Sequence, residues 1–178
     1  WEGSNGEERG GLIRLDRGDN PPETCITEVF QVPEGTLNPR GMDIASDGTA
    51  WGAMAATSQW VRLERDKCDR LNGPGTDISA VCPNAWTIYQ TPGPKFAGSD
   101  YPADFHYFGW LDTHDIMGLG KDTPILTGSN SDSLIALDPD TGEWTYMRVP
   151  YPMGFYQRGL DGRIDDPNGG WKGRALYS

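Results

Sequence analysis

Ile135-Ala136-Leu137-Asp138-Pro139-Asp140-Thr141-Gly142-Glu143-Trp144-Thr145-Tyr146-Met147-Arg148-Val149-Pro150 is the stretch on which the fold turns. An apolar strand ends in an acidic residue, a Pro-Asp-Thr-Gly hairpin places its glycine where a positive φ is wanted, and a second strand runs on to a proline. Two other segments carry the same strand ending, Ile13-Arg14-Leu15-Asp16 and Val61-Arg62-Leu63-Glu64. Their second strands read Thr27-Glu28-Val29-Phe30-Gln31-Val32-Pro33 and Trp86-Thr87-Ile88-Tyr89-Gln90-Thr91-Pro92. A further match lies beyond the proline, where Arg40-Gly41-Met42-Asp43 answers Arg158-Gly159-Leu160-Asp161. Each then reaches a turn and a tryptophan: Asp47-Gly48 with Trp51, and Asp166 to Gly170 with Trp171.

A unit therefore reads as a strand, an Asp/Gly turn, a strand with Trp, a strand ending Leu-Asp, a hairpin and a strand closing on Pro. Four short antiparallel strands per unit make up a propeller blade. The first two Leu-acidic endings lie 48 residues apart, a blade-sized period. The next interval is 74, which is read as two insertions, residues 68–82 and 93–120, in a single domain spanning 1–178. Residues 53–72 lack Gly and Pro and taken alone suit a helix. The alternation of Trp60, Arg62 and Glu64 against Val61 and Leu63 favours a strand instead.

Composition agrees. Gly 24 and Pro 14 of 178 residues are nearly double the roughly 12% expected for the two together, which excludes a helical bundle. A β-sandwich with accidental similarity is the alternative. The expected fold is all-β, a propeller of four-stranded antiparallel blades of which about two and a half are present. Propellers close with four to eight blades, so the remaining blades are expected from a longer chain or from other subunits. The opening Trp1-Glu2-Gly3-Ser4, without Met or leader, is read the same way.

A net charge of −11 repels phosphate backbones and argues against nucleic acid. No run of 18 apolar residues is present to span a membrane. Cys68 and Cys82 bracket a polar, Gly/Pro-bearing loop for which a disulfide is the natural staple, with two free thiols or a metal as rivals. A disulfide implies a periplasmic or extracellular setting. Cys25 is left over, its partner expected outside this stretch of sequence.

The pattern of Asp47-Gly48 with Trp51, Leu137-Asp138, Pro139-Asp140-Thr141-Gly142-Glu143-Trp144 and Pro150 resembles the streptogramin lyase (virginiamycin B lyase-like) propellers. The resemblance implies six or seven blades, a ligand site at one end of the channel and, for the lyase itself, ester opening by elimination with Mg²⁺ and a His base.

Chemistry is densest between Asp104 and Asp115, which hold His106, Tyr107, Trp110, Asp112 and His114. His106 and His114 are the candidate bases. Asp104, Tyr107, Trp110, Asp112 and Asp115 are the candidate ligand contacts. On a strand, Asp104 would share a face with His106, and Asp112 with His114. Structural hydrogen bonding is the alternative reading of all of them. The repeated Arg40/Asp43 and Arg158/Asp161 pairs suit inter-blade hydrogen bonds, with ligand contact by the arginines as the alternative. Asp161, Asp165 and Asp166 have the oxygen density of a cation loop without EF-hand spacing. No cofactor is fixed by these residues; Mg²⁺ and Ca²⁺ are the candidates. The tryptophans at 51, 86, 110, 144 and 171 are read as blade packing rather than a carbohydrate platform.

No serine-hydrolase elbow, Walker loop, zincin or haem-attachment motif occurs. The first expectation is a secreted or periplasmic propeller that binds a small molecule, peptide or partner. The alternatives are a Mg²⁺-dependent lyase and a structural subunit of a larger extracellular assembly.

Overall fold

The computed structural model describes residues 9–68, 82–100, 102–153, 159–165, 168–170 and 172–177. The strands are β1 (Gly11–Asp16), β2 (Ile26–Gln31), β3 (Pro39–Ile44), β4 (Ala50–Met54), β5 (Gln59–Leu63) and β6 (Trp86–Gln90). They continue as β7 (Gly109–Asp112), β8 (Thr123–Gly128), β9 (Ser133–Leu137), β10 (Trp144–Arg148), β11 (Asp161–Arg163) and β12 (Ala175–Tyr177). Short 3-10 turns occupy Ala55–Thr57, Arg65–Lys67 and Pro83–Ala85. No helix among the described residues is long and apolar enough to cross a membrane.

Strand order defines the architecture. β3-β4-β5-β6 and β7-β8-β9-β10 are four-stranded sheets in sequential order, every neighbouring pair antiparallel. β1 pairs with β2, and β11 with β12, as two-stranded sheets. Strand β3 lies beside β7, so the first strands of successive sheets are neighbours. The chain is a partial β-propeller, with two complete blades flanked by the last two strands of one blade and the first two of another.

The repeated motifs occupy matching places. Leu63 faces Trp86 across β5–β6 as Leu137 faces Trp144 across β9–β10. Asp161 faces Tyr177 as Asp43 faces Trp51, so Tyr177 holds the place that sequence matching gives to Trp171, which lies outside the described residues. The helix-compatible stretch becomes β5 between two 3-10 turns, because Trp60, Val61 and Leu63 are buried on opposite faces of the sheet. The segment 93–120, read from the sequence as an insertion, supplies β7, the first strand of the second blade.

The core lies between blades. Trp51, Ala53 and Trp60 of the first blade pack against Leu111, Leu126, Ile135 and Leu137 of the second, with Tyr89, Trp144 and Tyr146 at the margin. Trp51 stacks on Tyr89 with ring centroids 5.6 Å apart. Trp60 lies against Gly109, where any Cβ would overlap its ring, and Trp110 lies in the same way against Gly162 of β11. A large indole on one blade and a bare backbone on the next set the blade spacing. Between the half-blade and the first blade, Leu12 and Phe30 pack on Leu63 and Ala85 beside the Cys68–Cys82 disulfide. That pairing fulfils the sequence reading; residues 69–81 within the loop lie outside the described residues. Cys25 is a free thiol whose Sγ lies 3.7 Å from the Arg17 carbonyl.

Candidate functional site

The segment from Ala103 to Phe108 crosses from the first blade to the second and is tied down along its length. Ser58 Oγ donates to the Asp104 carbonyl, and Asn130 Nδ2 to the Ala103 carbonyl. Asp104 and His106 lie in no strand, so the shared strand face expected for them does not arise. Both are fully buried, brought inward by the crossing itself.

Asp104 accepts hydrogen bonds at Oδ1 from the backbone N–H groups of Asn130 (2.8 Å) and Ser131 (2.7 Å). It thereby fixes the β8–β9 turn of the second blade. Its Oδ2 and the Tyr146 hydroxyl are buried beside Gly93, with no hydrogen-bond partner among the described residues. Burial, and then the nearby Asp104 carboxylate, push the Tyr146 phenol up to about 12.

His106 is equally enclosed. Nδ1 lies 2.8 Å from the Thr127 carbonyl and Nε2 lies 3.1 Å from Thr91 Oγ1. A carbonyl can only accept, so Nδ1 carries a proton, and Nε2 faces the Thr91 hydroxyl oxygen, whose own proton goes to the Ser58 carbonyl. The Ser58 carbonyl, 2.7 Å from that hydroxyl, is also served by the Thr91 N–H (3.1 Å) and Gln90 Nε2 (2.8 Å). The imidazole thus has a polar neighbour at each nitrogen, and burial holds its pKa below the usual histidine value. His106 thus links the end of the first blade, at Thr91, to β8 of the second, at Thr127.

Asp112 closes β7 and is also buried. Its two carboxylate oxygens accept the N–H groups of Ile116 and Met117, each at 2.8 Å. Asp115, at φ 51°, accepts from Gly120 N at 2.9 Å. These carboxylates shape the loop between β7 and β8. The loop carries His114 outward to an exposed position, and with His114 in the turn beyond β7 the strand face imagined for Asp112 and His114 is not formed.

His114 stands in a cleft at the innermost strands. The cleft has a volume of about 390 Å³ and runs between β3, β7 and β11. Its apolar walls include Met42, Phe108, Trp110 and Leu160; Asp43, Thr113, His114 and Asp161 supply its polar groups. Asp43 makes the inter-blade bond anticipated for the repeated motif, accepting from Leu111 N at 3.0 Å across to β7. Arg40 turns the other way, its guanidinium 5.9 Å from the Phe105 ring centroid and 5.7 Å from that of Tyr107. It also donates to Asn38 Oδ1 at 3.3 Å. Tyr107 thus lies against Phe105, the rings tilted by 48°, and near Arg40, outside the cleft lining, whereas Trp110 lies within it.

Arg158 and Asp166 lie outside the described residues. Asp161 lies in β11, and Asp165 accepts from Gly173 N. No group of three or more His, Cys, Asp or Glu converges as metal ligands among the described residues. Sequence reasoning singled out His114, Trp110 and Asp161 but missed Thr113 and Phe108 as their neighbours. The repeated Gly-x-Asp of Gly41-Met42-Asp43 and Gly159-Leu160-Asp161 marks β3 and β11, two of the strands at the cleft, whereas Phe108 and Thr113 flank β7, which lacks that motif.

Among solved structures the chain is similar to selenomethionine-substituted virginiamycin B lyase from Staphylococcus aureus, at 14% identity and TM-score 0.47 over 71% of this chain and 32% of that one. A streptogramin B lyase structure is matched at 13% identity and TM-score 0.47, over 71% of this chain and 31% of that chain. The chain thus spans about a third of the length of these two lyase structures. No protein-family profile and no curated protein sequence matches it. The propeller assignment rests on the strand order above.

Proposed function

We propose that this chain is a ligand- or partner-binding β-propeller module of the periplasmic or extracellular space, with its site in the cleft at the innermost strands. The observation that carries the reading is the cleft itself. It places Trp110, Phe108 and Leu160 beside Thr113, an exposed His114 and two aspartates, the mixture of apolar wall and few polar groups typical of small-molecule sites. The Cys68–Cys82 disulfide supports the compartment. The test is heteronuclear NMR with a fragment library and, separately, with Mg²⁺ and Ca²⁺ as probes. Shifts converging on Thr113, His114 and Leu160, and lost in His114→Ala for polar probes, are expected. Saturable binding that maps only elsewhere sinks the reading.

A second reading, ester elimination with a divalent cation, is favoured by one observation. With His106 sealed between blades, His114 is the histidine that stands free in the cleft. Incubation of a cyclic depsipeptide with the chain and Mg²⁺, followed by chromatography, tests it. Ring opening abolished by His114→Ala supports catalysis; an unaltered substrate argues for binding alone.

A further inference from the structure

Strand register sets one residue of each innermost strand at the same level of the cleft. In the first blade Asp43 of β3 faces Trp51 of β4, and Trp51 faces Arg62, the residue before Leu63. In the second, Trp110 of β7 faces Ile125 of β8, and Ile125 faces Ala136, the residue before Leu137. Trp110 therefore holds the place of Asp43. Asp161 of β11 faces Tyr177 and holds that place again. Across the three strands the level reads carboxylate, indole, carboxylate, and all three residues line the cleft of about 390 Å³.

The first carboxylate is fixed by the backbone. Asp43 accepts the Ile44 N–H at Oδ1 (2.8 Å) and the Leu111 N–H at Oδ2 (3.0 Å). A carboxylate offers about four lone-pair sites, so capacity remains for a donor arriving from the cleft. Asp161 is exposed in β11. Met42, Phe108 and Leu160 form the apolar wall around the two, and no Lys or Arg is among the described residues that line the cleft. Two carboxylates beside aromatic rings set a negative potential over an apolar surface, which the net charge of −11 extends. Among the described residues no third His, Cys, Asp or Glu converges on the pair as a metal-ligand group. A bare divalent ion takes roughly six or more ligands. An organic ammonium group needs only acceptors for its N–H donors and gains from a nearby ring.

We propose that the cleft selects an organic ammonium ligand, an amine cation that carries an apolar or aromatic group. Its charge sits between Asp43 and Asp161 at the level of Trp110, and its apolar part lies against Met42, Phe108 and Leu160. The proposal rests on the cleft being the ligand site and adds the sign of the ligand's charge. A neutral ligand of the same shape gains only the apolar wall, and an anionic one meets two like charges.

The test is an NMR titration of the 178-residue chain at about pH 8, above the ordinary histidine range. The probes are 2-phenylethylammonium, 2-phenylethanol and phenylacetate, similar in shape and different in charge. Ammonium binding with shifts at Trp110, Asp161 and Gly162 is expected, at least about tenfold tighter than the alcohol. Phenylacetate should bind more weakly than either. Raising NaCl from about 20 mM to about 0.5 M should narrow the preference for the ammonium over the alcohol. Asp161→Asn removes a charge at an exposed position, so the fold is retained by circular dichroism. It should lower the ratio of ammonium to alcohol affinity by about threefold or more. Equal binding of ammonium and alcohol at the cleft overturns the ammonium assignment and leaves the cleft reading standing. Probes that shift only residues elsewhere, or none up to about 10 mM, overturn both. A preference for the ammonium that salt and Asp161→Asn leave untouched overturns the assignment of its charge to these carboxylates.

Discussion

Glu28 shows how one buried charge is held. Its Oε1 accepts from Arg65 Nη2 at 2.6 Å and its Oε2 from Arg14 Nη1 at 2.8 Å, joining β1, β2 and the turn after β5. Burial pushes this carboxyl up, but the hydrogen bonds from Arg65 and Arg14 outweigh it and hold the pKa below the usual value. Both arginines keep substantial exposure, so removing the carboxylate does not strand a desolvated cation. Glu28→Ala is expected to cost about 1–2 kcal/mol in urea denaturation. His106 carries the opposite pH sign from a stabilised imidazolium. Its folded pKa is depressed by burial, so the unfolded chain takes up the proton first. Stability is full above the unfolded value near 6.5 and falls as pH drops from there through the lowered folded value. Urea midpoints at pH 7.5 and pH 5.5 should show the loss; equal midpoints would contradict a neutral, buried His106. The Glu28 contribution stays out of this window, because it is lost only below the ordinary glutamate range. The residue types were plain in the sequence. Their burial was not, because it is decided by Thr91, Thr127 and Ser58, which converge from three separate elements.

At the scale of elements, glycines opposite indoles govern the blade spacing. A Cβ at Gly109 would overlap the Trp60 ring, which is itself fully buried. Gly109→Ala is therefore expected to lose about 1–3 kcal/mol by overpacking, measured as a lowered thermal midpoint; a neutral result would show that the indole has room to move. The disulfide closes a loop of about 15 residues, and its reduction or a Cys68→Ser/Cys82→Ser pair should remove roughly 3 kcal/mol, read from the denaturant midpoint. Strand identity was legible wherever the repeat recurs: β5, β6, β9 and β10 follow from the Leu-acidic endings and the prolines. β7 was not, since Gly109-Trp110-Leu111-Asp112 lacks the Arg-Gly-x-Asp of the other first strands and follows a long crossing segment. Its assignment depends on pairing with β8 and on lying beside β3.

For the whole molecule, charge and closure dominate. A net charge of −11 opposes compactness and association through self-repulsion, which salt screens over about 10 Å at 0.1 M. Raising NaCl from a few millimolar to about 0.15 M should raise the thermal midpoint, and scanning calorimetry across that range checks it; a falling midpoint would show that ion pairs such as those of Glu28 outweigh the repulsion. The sequence by itself determined the blade repeat: the strands that carry its motifs, its turns and its closing prolines. These are local signals, set by backbone preferences and by a repeat that needs no partner to be read. Tertiary structure alone decided the fates of the histidines, one sealed between blades and the other set free at the innermost strands. It also decided that Ile13 and Leu15 lie open where their counterparts are covered. Burial depends on which blade stands next to which, and that neighbourhood is a property of the ring rather than of any one repeat.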